Sequence, residues 1–158
     1  ADTDEAVLSQ SGLRYLPDMR ISEASAADAA GLIIPGGPIR NEQNAIVPLV
    51  QAMEEQRKLL AAICFGPQFL GRAGVLDRHE FTTSCSEETI RQLGVSDPFP
   101  RQNFHQARVW QDGHVITAQG HAPVDFAAMV YRYLGVYQDT EMEYRELWKI
   151  CDRGEEHA

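Results

Sequence analysis

The sequence LLAAICFGPQFLGRAG, at residues 59–74, constrains the fold more than any other stretch of this chain. Its first five residues are all apolar, which is typical of a strand buried on both faces of a sheet. From Phe69 onward the apolar residues return at helical spacing, and Gly74 ends that pattern. Cys64 stands where the strand pattern stops. The stretch therefore predicts a buried strand that turns sharply into a helix, with a cysteine in the turn.

The same alternation of strand and helix patterns continues along the chain. AGLIIPGGP (30–38) predicts a buried strand that runs into a loop, and NEQNAIVPLVQAMEEQRK (41–58) predicts a helix with Pro48 in its first turns. The later predictions are a strand in EFTTS, a helix in SEETIRQLG with Ser86 as its cap, a hairpin in ARVWQDGHVITAQ, and helices in APVDFAAMVYRYLGV and DTEMEYRELWKICD. Alternation of this kind predicts an α/β sandwich on a mostly parallel sheet.

Length and charge limit the kinds of partner. The 158 residues suit one domain, which we expect to span 1–158. A net charge of −9 repels phosphate backbones, so we expect no nucleic-acid partner. No apolar run approaches the roughly 20 residues that cross a bilayer, and ADTDEAVLSQ does not resemble a signal peptide. We therefore expect a cytoplasmic protein that does not bind membranes.

The cysteines and histidines are scattered. The three cysteines are too few for the disulfide framework of a small secreted domain. The five histidines show no paired spacing of the H-E-x-x-H type, so we expect neither a metal site nor a cofactor. The residues concerned are Cys64, Cys85, Cys151, His79, His105, His114, His121 and His157.

The predicted position of Cys64 favours a chemical role. Ligands of open α/β sheets bind at the carboxyl ends of the strands, and a nucleophile at a strand-to-helix turn has an exposed side chain. Gly66 removes a side chain that would crowd the turn, and the following helix start favours the thiolate form. Free cysteine often fills a core as a small apolar residue, but the strand, turn and glycine context favours the nucleophile.

Four segments occur in the order found in the ThiJ/PfpI superfamily: LIIPGGP, LLAAICFGPQFLGRAGVL, FTTS and DGHVITAQGHAPVDFA. The chain resembles that family over residues 17–136. The resemblance implies a flavodoxin-like three-layer sandwich with a mostly parallel central sheet, usually dimeric. It implies that Cys64 is the nucleophile and that the backbone N–H groups of Gly37 and Phe65 form the oxyanion hole. Donors of this kind stabilise the negative charge that develops on a carbonyl oxygen under attack.

The sequence departs from the family in two places. Phe65 stands where PfpI-type peptidases have histidine, so peptidase activity is not expected. The acidic residue that the family supplies after its first strand has no counterpart in 1–14. Either the first strand and helix of the family are lost or replaced, or this chain is a piece of a longer protein.

Two further residues are candidates for the site. His121, in GHAPVD, lies at a place comparable to the histidine of class I glutamine amidotransferases. It is either a base or hydrogen-bond partner for Cys64, or a polar residue facing water at a helix start. Cys85, just past FTTS, is either a resolving thiol or a partly buried cysteine without a chemical role. His105 and His114 are expected to be exposed beside the hairpin.

Three functions follow. The first is a cysteine-dependent hydrolase or lyase, amidase-like, acting on a small electrophilic substrate as a homodimer. The second is a redox or stress-responsive protein in which Cys64 is oxidised or bridges to Cys85. The third is a non-catalytic dimeric module of the same fold.

Overall fold

The computed structural model describes residues 1–9, 11–39 and 45–136. Short 3-10 turns join several of its elements. The elements are β1 (Val7–Leu8), β2 (Arg14–Tyr15), β3 (Gly31–Ile34), α1 (Val47–Glu55), β4 (Leu59–Ile63), α2 (Pro67–Arg72), α3 (Glu87–Leu93), β5 (Val109–Asp112), β6 (Val115–Ala118) and α4 (Pro123–Leu134).

The main sheet of the described residues has four strands in the order β3-β4-β6-β5. β4 lies between β3 and β6 and is parallel to both, with Ala62 opposite Ile34 and Ile63 opposite Ala118. β5 is antiparallel to β6, as a hairpin requires. The predicted α/β fold with a mostly parallel sheet is therefore confirmed. Because β3, β4 and β6 run in the same direction, their carboxyl ends meet at one edge of the sheet.

The central strand β4 is buried on both faces. Leu60 and Ala62 contribute to a core under α1 and α2, whereas Leu59 and Ala61 pack in a second core under α4. Burying one such leucine stabilises the fold by about 1.5–3 kcal/mol. This two-sided burial explains why LLAAI is apolar at every position. It also produces three layers, with helices on both sides of the sheet.

Local sequence signals account for the helix starts. Proline occupies one of the first two positions of α1, α2 and α4, where its missing N–H has no helical acceptor in any case. The hydroxyl of Ser86 accepts a hydrogen bond from the backbone N–H of Thr89 at 3.1 Å, which caps α3 as predicted.

The predicted strand in EFTTS is wrong. Only Phe81 forms a bridge, to Phe104, and the threonines bond outside any backbone ladder. The N–H of Thr82 donates to the hydroxyl of Thr117 at 2.9 Å, and the hydroxyl of Thr83 donates to the carbonyl of Cys64 at 2.7 Å. Through these bonds, Thr82 and Thr83 attach the segment to the carboxyl-terminal ends of β6 and β4.

The N-terminal residues lie outside the main sheet. β1 and β2 form a separate antiparallel pair, and in residues 1–9 and 11–30 no strand joins β3, which is an edge strand. No helix in the described ranges combines the length and the apolar character that crossing a bilayer requires. The predicted helix in DTEMEYRELWKICD, with Cys151, lies outside the described residues, as does His157.

Candidate functional site

Cys64 follows the last residue of β4 in a left-handed backbone conformation, with φ at +64°. Residues other than glycine rarely adopt this conformation, because their Cβ approaches the following carbonyl oxygen at a cost of order 1–3 kcal/mol. Arg57 is the other described non-glycine residue with a positive φ. The strain turns the chain directly from β4 into α2 and leaves the cysteine half-buried.

Three hydrogen bonds hold the backbone of Cys64 in this conformation. Its N–H donates to the carbonyl of Ala118 at 2.8 Å, at the end of β6. Its own carbonyl accepts from the hydroxyl of Thr83 at 2.7 Å and from the N–H of Ser84 at 3.2 Å. Both neighbouring segments therefore fix the position of the thiol before any ligand arrives.

Glycines bring two loops against the sulfur. A Cβ placed on Gly120 would lie 2.9 Å from Sγ of Cys64, and one on Gly36 would lie 2.8 Å from its Cβ and 3.2 Å from Sγ. Gly66 is needed for another reason, because a Cβ there would approach the carbonyl oxygen of Ile34 to 2.5 Å. Contacts this short exclude larger residues, so bare backbone surrounds the thiol on two sides.

The predicted oxyanion donors belong to the two segments that meet at this thiol. Phe65 follows Cys64, and Gly37 follows the glycine that contacts it. Among the described residues, neither backbone N–H has a hydrogen-bond acceptor. Gln68, fully buried on α2, donates from Nε2 to the carbonyl of Pro38 at 3.4 Å, which ties the loop of Gly37 to the helix. The role of the Gly37 and Phe65 N–H groups as an oxyanion hole stays a prediction.

His121 follows Gly120 and is exposed. In the described ranges its side chain makes no hydrogen bond or ion pair, and neither a histidine nor a carboxylate is hydrogen-bonded to the Cys64 thiol. The structure brings the backbone of this loop to the sulfur but gives no contact for the imidazole. Its role as a base stays a prediction.

Cys85 lies one residue beyond Ser84, but its surroundings differ from those of Cys64. It is 1% exposed, and burial raises the pKa of its thiol, because a thiolate loses solvation there. Its Sγ lies 3.9 Å from the carbonyl oxygen of Ser86. A neutral buried thiol is a poor nucleophile, and both cysteines are free in this structure.

A cavity of about 560 Å³ opens beside this edge of the sheet. Its lining includes Ser84, Cys85 and Gln119 but not Cys64 itself. Arg101 also lines it and donates a hydrogen bond to Asp97. The remaining lining comes mainly from the start of α3, with Glu87 and Glu88. The cavity therefore combines charged and apolar surface and is large enough for a small organic molecule.

Another ionisable cluster was missed by the sequence analysis. Glu54, His79 and His114 place carboxylate and imidazole atoms within 4.8 Å of one another. The prediction that His114 is exposed is wrong, since it is 5% exposed and its ring nitrogen lies 2.7 Å from Glu54. Burial raises the pKa of Glu54, but the hydrogen bonds and charges of the two histidines together lower it by more, so that the pKa lies below its usual value. No sequence spacing reveals the cluster, because its members are 25 and 35 residues apart.

Comparisons with known proteins agree with this architecture. An uncharacterized protein of Archaeoglobus fulgidus is 30% identical over 121 residues, which cover 73% of this chain and 67% of that protein. The uncharacterized protease YoaZ of Bacillus subtilis is 27% identical over 150 residues, which cover 92% of this chain and 70% of that protein.

Solved structures show the same fold. A DJ-1 superfamily protein of Agrobacterium tumefaciens superposes with a TM-score of 0.77 at 24% identity, covering 97% of this chain and 80% of that one. Drosophila melanogaster DJ-1beta gives 0.68 at 24% identity, covering 92% and 76%. The model of the DJ-1/PfpI family matches residues 1–132. With the fold and the cysteine turn described above, this match establishes that the chain belongs to the DJ-1/PfpI family.

Proposed function

We propose that the protein is a cysteine-dependent hydrolase or lyase acting on a small electrophilic substrate, with Cys64 as the nucleophile. The observation that carries the proposal is the left-handed backbone of Cys64, φ +64°, at the junction of a buried strand and a helix. Strain of this kind persists only where surrounding contacts maintain it, and it is typical of functional sites. A small apolar residue filling the core would not need it.

The proposed reaction begins with addition of the Cys64 thiolate to a carbonyl carbon. A carbon–sulfur bond forms, the π electrons move to the oxygen, and the thiol proton has gone to solvent. The backbone N–H groups of Phe65 and Gly37, which have no acceptor among the described residues, stabilise the oxyanion. In a hydrolase the oxyanion collapses, expels the leaving group and gives a thioester, which water cleaves.

The proposed substrate is small because glycine backbone closes two sides of the Cys64 thiol. Phe65 occupies the position of the histidine found in PfpI-type peptidases, so the proposal excludes efficient peptide hydrolysis. His121 is included as a candidate base that would have to move toward the sulfur. The homodimer, which the family resemblance implies, and the cytoplasmic location expected from the sequence are also part of the proposal.

The test compares Cys64→Ser with Cys85→Ala as a matched control. Both proteins, with wild type, are assayed on p-nitrophenyl acetate and on a panel of small amides, nitriles and aldehydes. We expect wild type and Cys85→Ala to turn over the same substrate and Cys64→Ser to lose at least about 100-fold in kcat/KM. Mass spectrometry of the quenched reaction should find the acyl adduct on Cys64. A Cys64→Ser protein with full activity contradicts the proposal.

The accessible thiol also supports a second candidate, a peroxide-responsive protein. The Cys64 thiolate attacks one oxygen of the peroxide, so that an S–O bond forms, the O–O bond breaks and hydroxide leaves as water, which gives a sulfenic acid. A second peroxide oxidises the sulfenic acid in the same way to a sulfinic acid, whose oxygens the same two N–H groups would bind. Mild peroxide should then oxidise Cys64 before Cys85, because Cys85 is buried. Equal oxidation of both cysteines argues against this candidate.

A further inference from the structure

A second group of ionisable side chains lies at the opposite end of β4 from Cys64. The N–H of Leu60, near the start of β4, donates to the carbonyl of His114 at 2.9 Å, whereas the N–H of Cys64 donates to Ala118 at the far end of β6. Four residues of strand at roughly 3.3 Å each separate the two levels by about 13 Å. The cluster is therefore distinct from the cysteine site.

We propose that Glu54, His79 and His114 form a binding site for a divalent transition-metal ion of the Zn²⁺ type. Two imidazoles and one carboxylate are a ligand set that zinc adopts in proteins, with a fourth position left for water. Each side chain comes from a different element: Glu54 from α1, His79 from the turn after the α2 region, and His114 from the β5–β6 hairpin.

The distances between candidate ligand atoms suit one ion. His79 Nε2 lies 3.4 Å from Oε1 of Glu54, His114 Nε2 lies 2.7 Å from Oε2, and all three ligands lie within 4.8 Å of one another. Ligands at 2.0–2.1 Å in a tetrahedron are separated by about 3.3 Å. Binding therefore requires side-chain movements on the order of 1 Å, within the reach of small χ rotations.

The surroundings of His79 are those of a metal ligand. Its Nδ1 lies 3.2 Å from Oδ2 of Asp112, and the same oxygen accepts the backbone N–H of Glu80 at 3.0 Å. A carboxylate in this position fixes the ring orientation and directs Nε2 toward the ion. Both nitrogens of His79 face carboxylates, Nδ1 toward Asp112 and Nε2 toward Glu54. A metal ion at Nε2 would take the place of a shared proton there, while Nδ1–H keeps its bond to Asp112.

Burial and access also favour a bound ion. The side chains of His114, His79 and Glu54 are 5%, 12% and 13% exposed. A cavity of about 450 Å³ opens onto them, which leaves room for a water ligand. The guanidinium of Arg78 lies 3.6 Å from Oε1 of Glu54 and competes with a cation, but its side chain is 72% exposed and free to turn toward solvent.

The test uses the full chain without an affinity tag, stripped with chelator and titrated with Zn²⁺ by calorimetry. Co²⁺ absorption in the visible range reports the coordination geometry. We expect one ion per chain and an affinity at least about 100-fold weaker in His79→Gln and Glu54→Gln. His105→Gln is the matched control, because His105 is half-buried and lies 3.1 Å from Glu80, outside the cluster. Cys64→Ser should also keep full affinity, so the result is independent of the proposed enzyme function.

A variant at the more exposed Asp112 tests the site in case His79→Gln or Glu54→Gln does not fold. Asp112→Asn leaves the three ligands in place and should weaken Zn²⁺ binding by roughly 10-fold, with the melting temperature of the chelated protein little changed. Folded wild-type protein that binds no Zn²⁺ overturns the proposal. So does binding that survives His79→Gln but is lost in Cys64→Ser, because the thiol would then be the ligand.

Discussion

The two ends of β4 are built on opposite principles. At the carboxyl end, Cys64 is surrounded by backbone, since Gly36 and Gly120 omit the side chains that would touch its sulfur. At the amino end, Glu54 and His114 meet through long polar side chains, hydrogen-bonded at 2.7 Å in a nearly buried cluster. At one end of this sheet, glycines without side chains leave the thiol of Cys64 bordered by backbone. At the other end, ionisable side chains meet and form a polar cluster.

The largest expected effect concerns the two cysteines near the carboxyl end. Burial raises the pKa of Cys85, so a smaller fraction of its thiol ionises at neutral pH than in an unfolded chain. We expect iodoacetamide at pH 7.5 to label Cys64 at least about 100-fold faster than Cys85, measured by peptide mass spectrometry. The pH midpoint for labelling of Cys85 should be higher in the folded protein than in an unfolded control. Comparable rates at pH 7.5 would mean that Cys85 is open to solvent.

The next effect tests the role of omitted side chains. Gly66→Ala places a Cβ 2.5 Å from the carbonyl oxygen of Ile34 and 2.9 Å from that of Ile63, and backbone cannot move away cheaply. We expect a loss of about 2–3 kcal/mol in the free energy of unfolding, measured in urea. Gly37→Ala is the control, because its Cβ would meet no heavy atom of the described residues within 4 Å. Equal stability of the two variants would contradict the packing described for the turn.

A third effect tests the charged end. Glu54→Ala leaves the nearly buried His114 without its acceptor, which should cost about 1–3 kcal/mol in chelated protein. Glu55→Ala, one residue on and exposed, should change the free energy of unfolding by less than about 0.5 kcal/mol. If added Zn²⁺ stabilises Glu54→Ala as much as wild type, Glu54 is not a ligand.

The smallest effect concerns the loop of Gly120. The hydroxyl of Ser84 accepts the N–H of Gly120 at 2.7 Å and holds that glycine against the thiol. Ser84→Ala should cost about 1 kcal/mol and raise the labelling rate of Cys64 by a factor of a few. Ser86→Ala removes the cap of α3 at a similar cost, about 1 kcal/mol, and should leave the labelling rate unchanged. A rise in both variants would indicate general loosening.

Sequence reasoning succeeded where the signal is contiguous. LLAAI became β4 with the predicted bounds, because a strand buried on both faces needs apolar residues at every position. Ser86 caps α3 and the hairpin turns at Gly113, as their local chemistry requires. EFTTS misled because threonine has both a β-branched side chain and a hydroxyl, and here Thr83 uses its hydroxyl to bind Cys64.

The sequence by itself determined the family, the α/β fold, and the cysteine at the junction of strand and helix, since each depends on residues close together in the chain. Only the tertiary structure decided which glycines contact the sulfur, that Cys85 is buried, and that Glu54, His79 and His114 meet. The physical reason is the parallel sheet itself. Its strands and crossover helices bring together residues 25 to 60 positions apart at the ends of the strands, and no local pattern records that meeting.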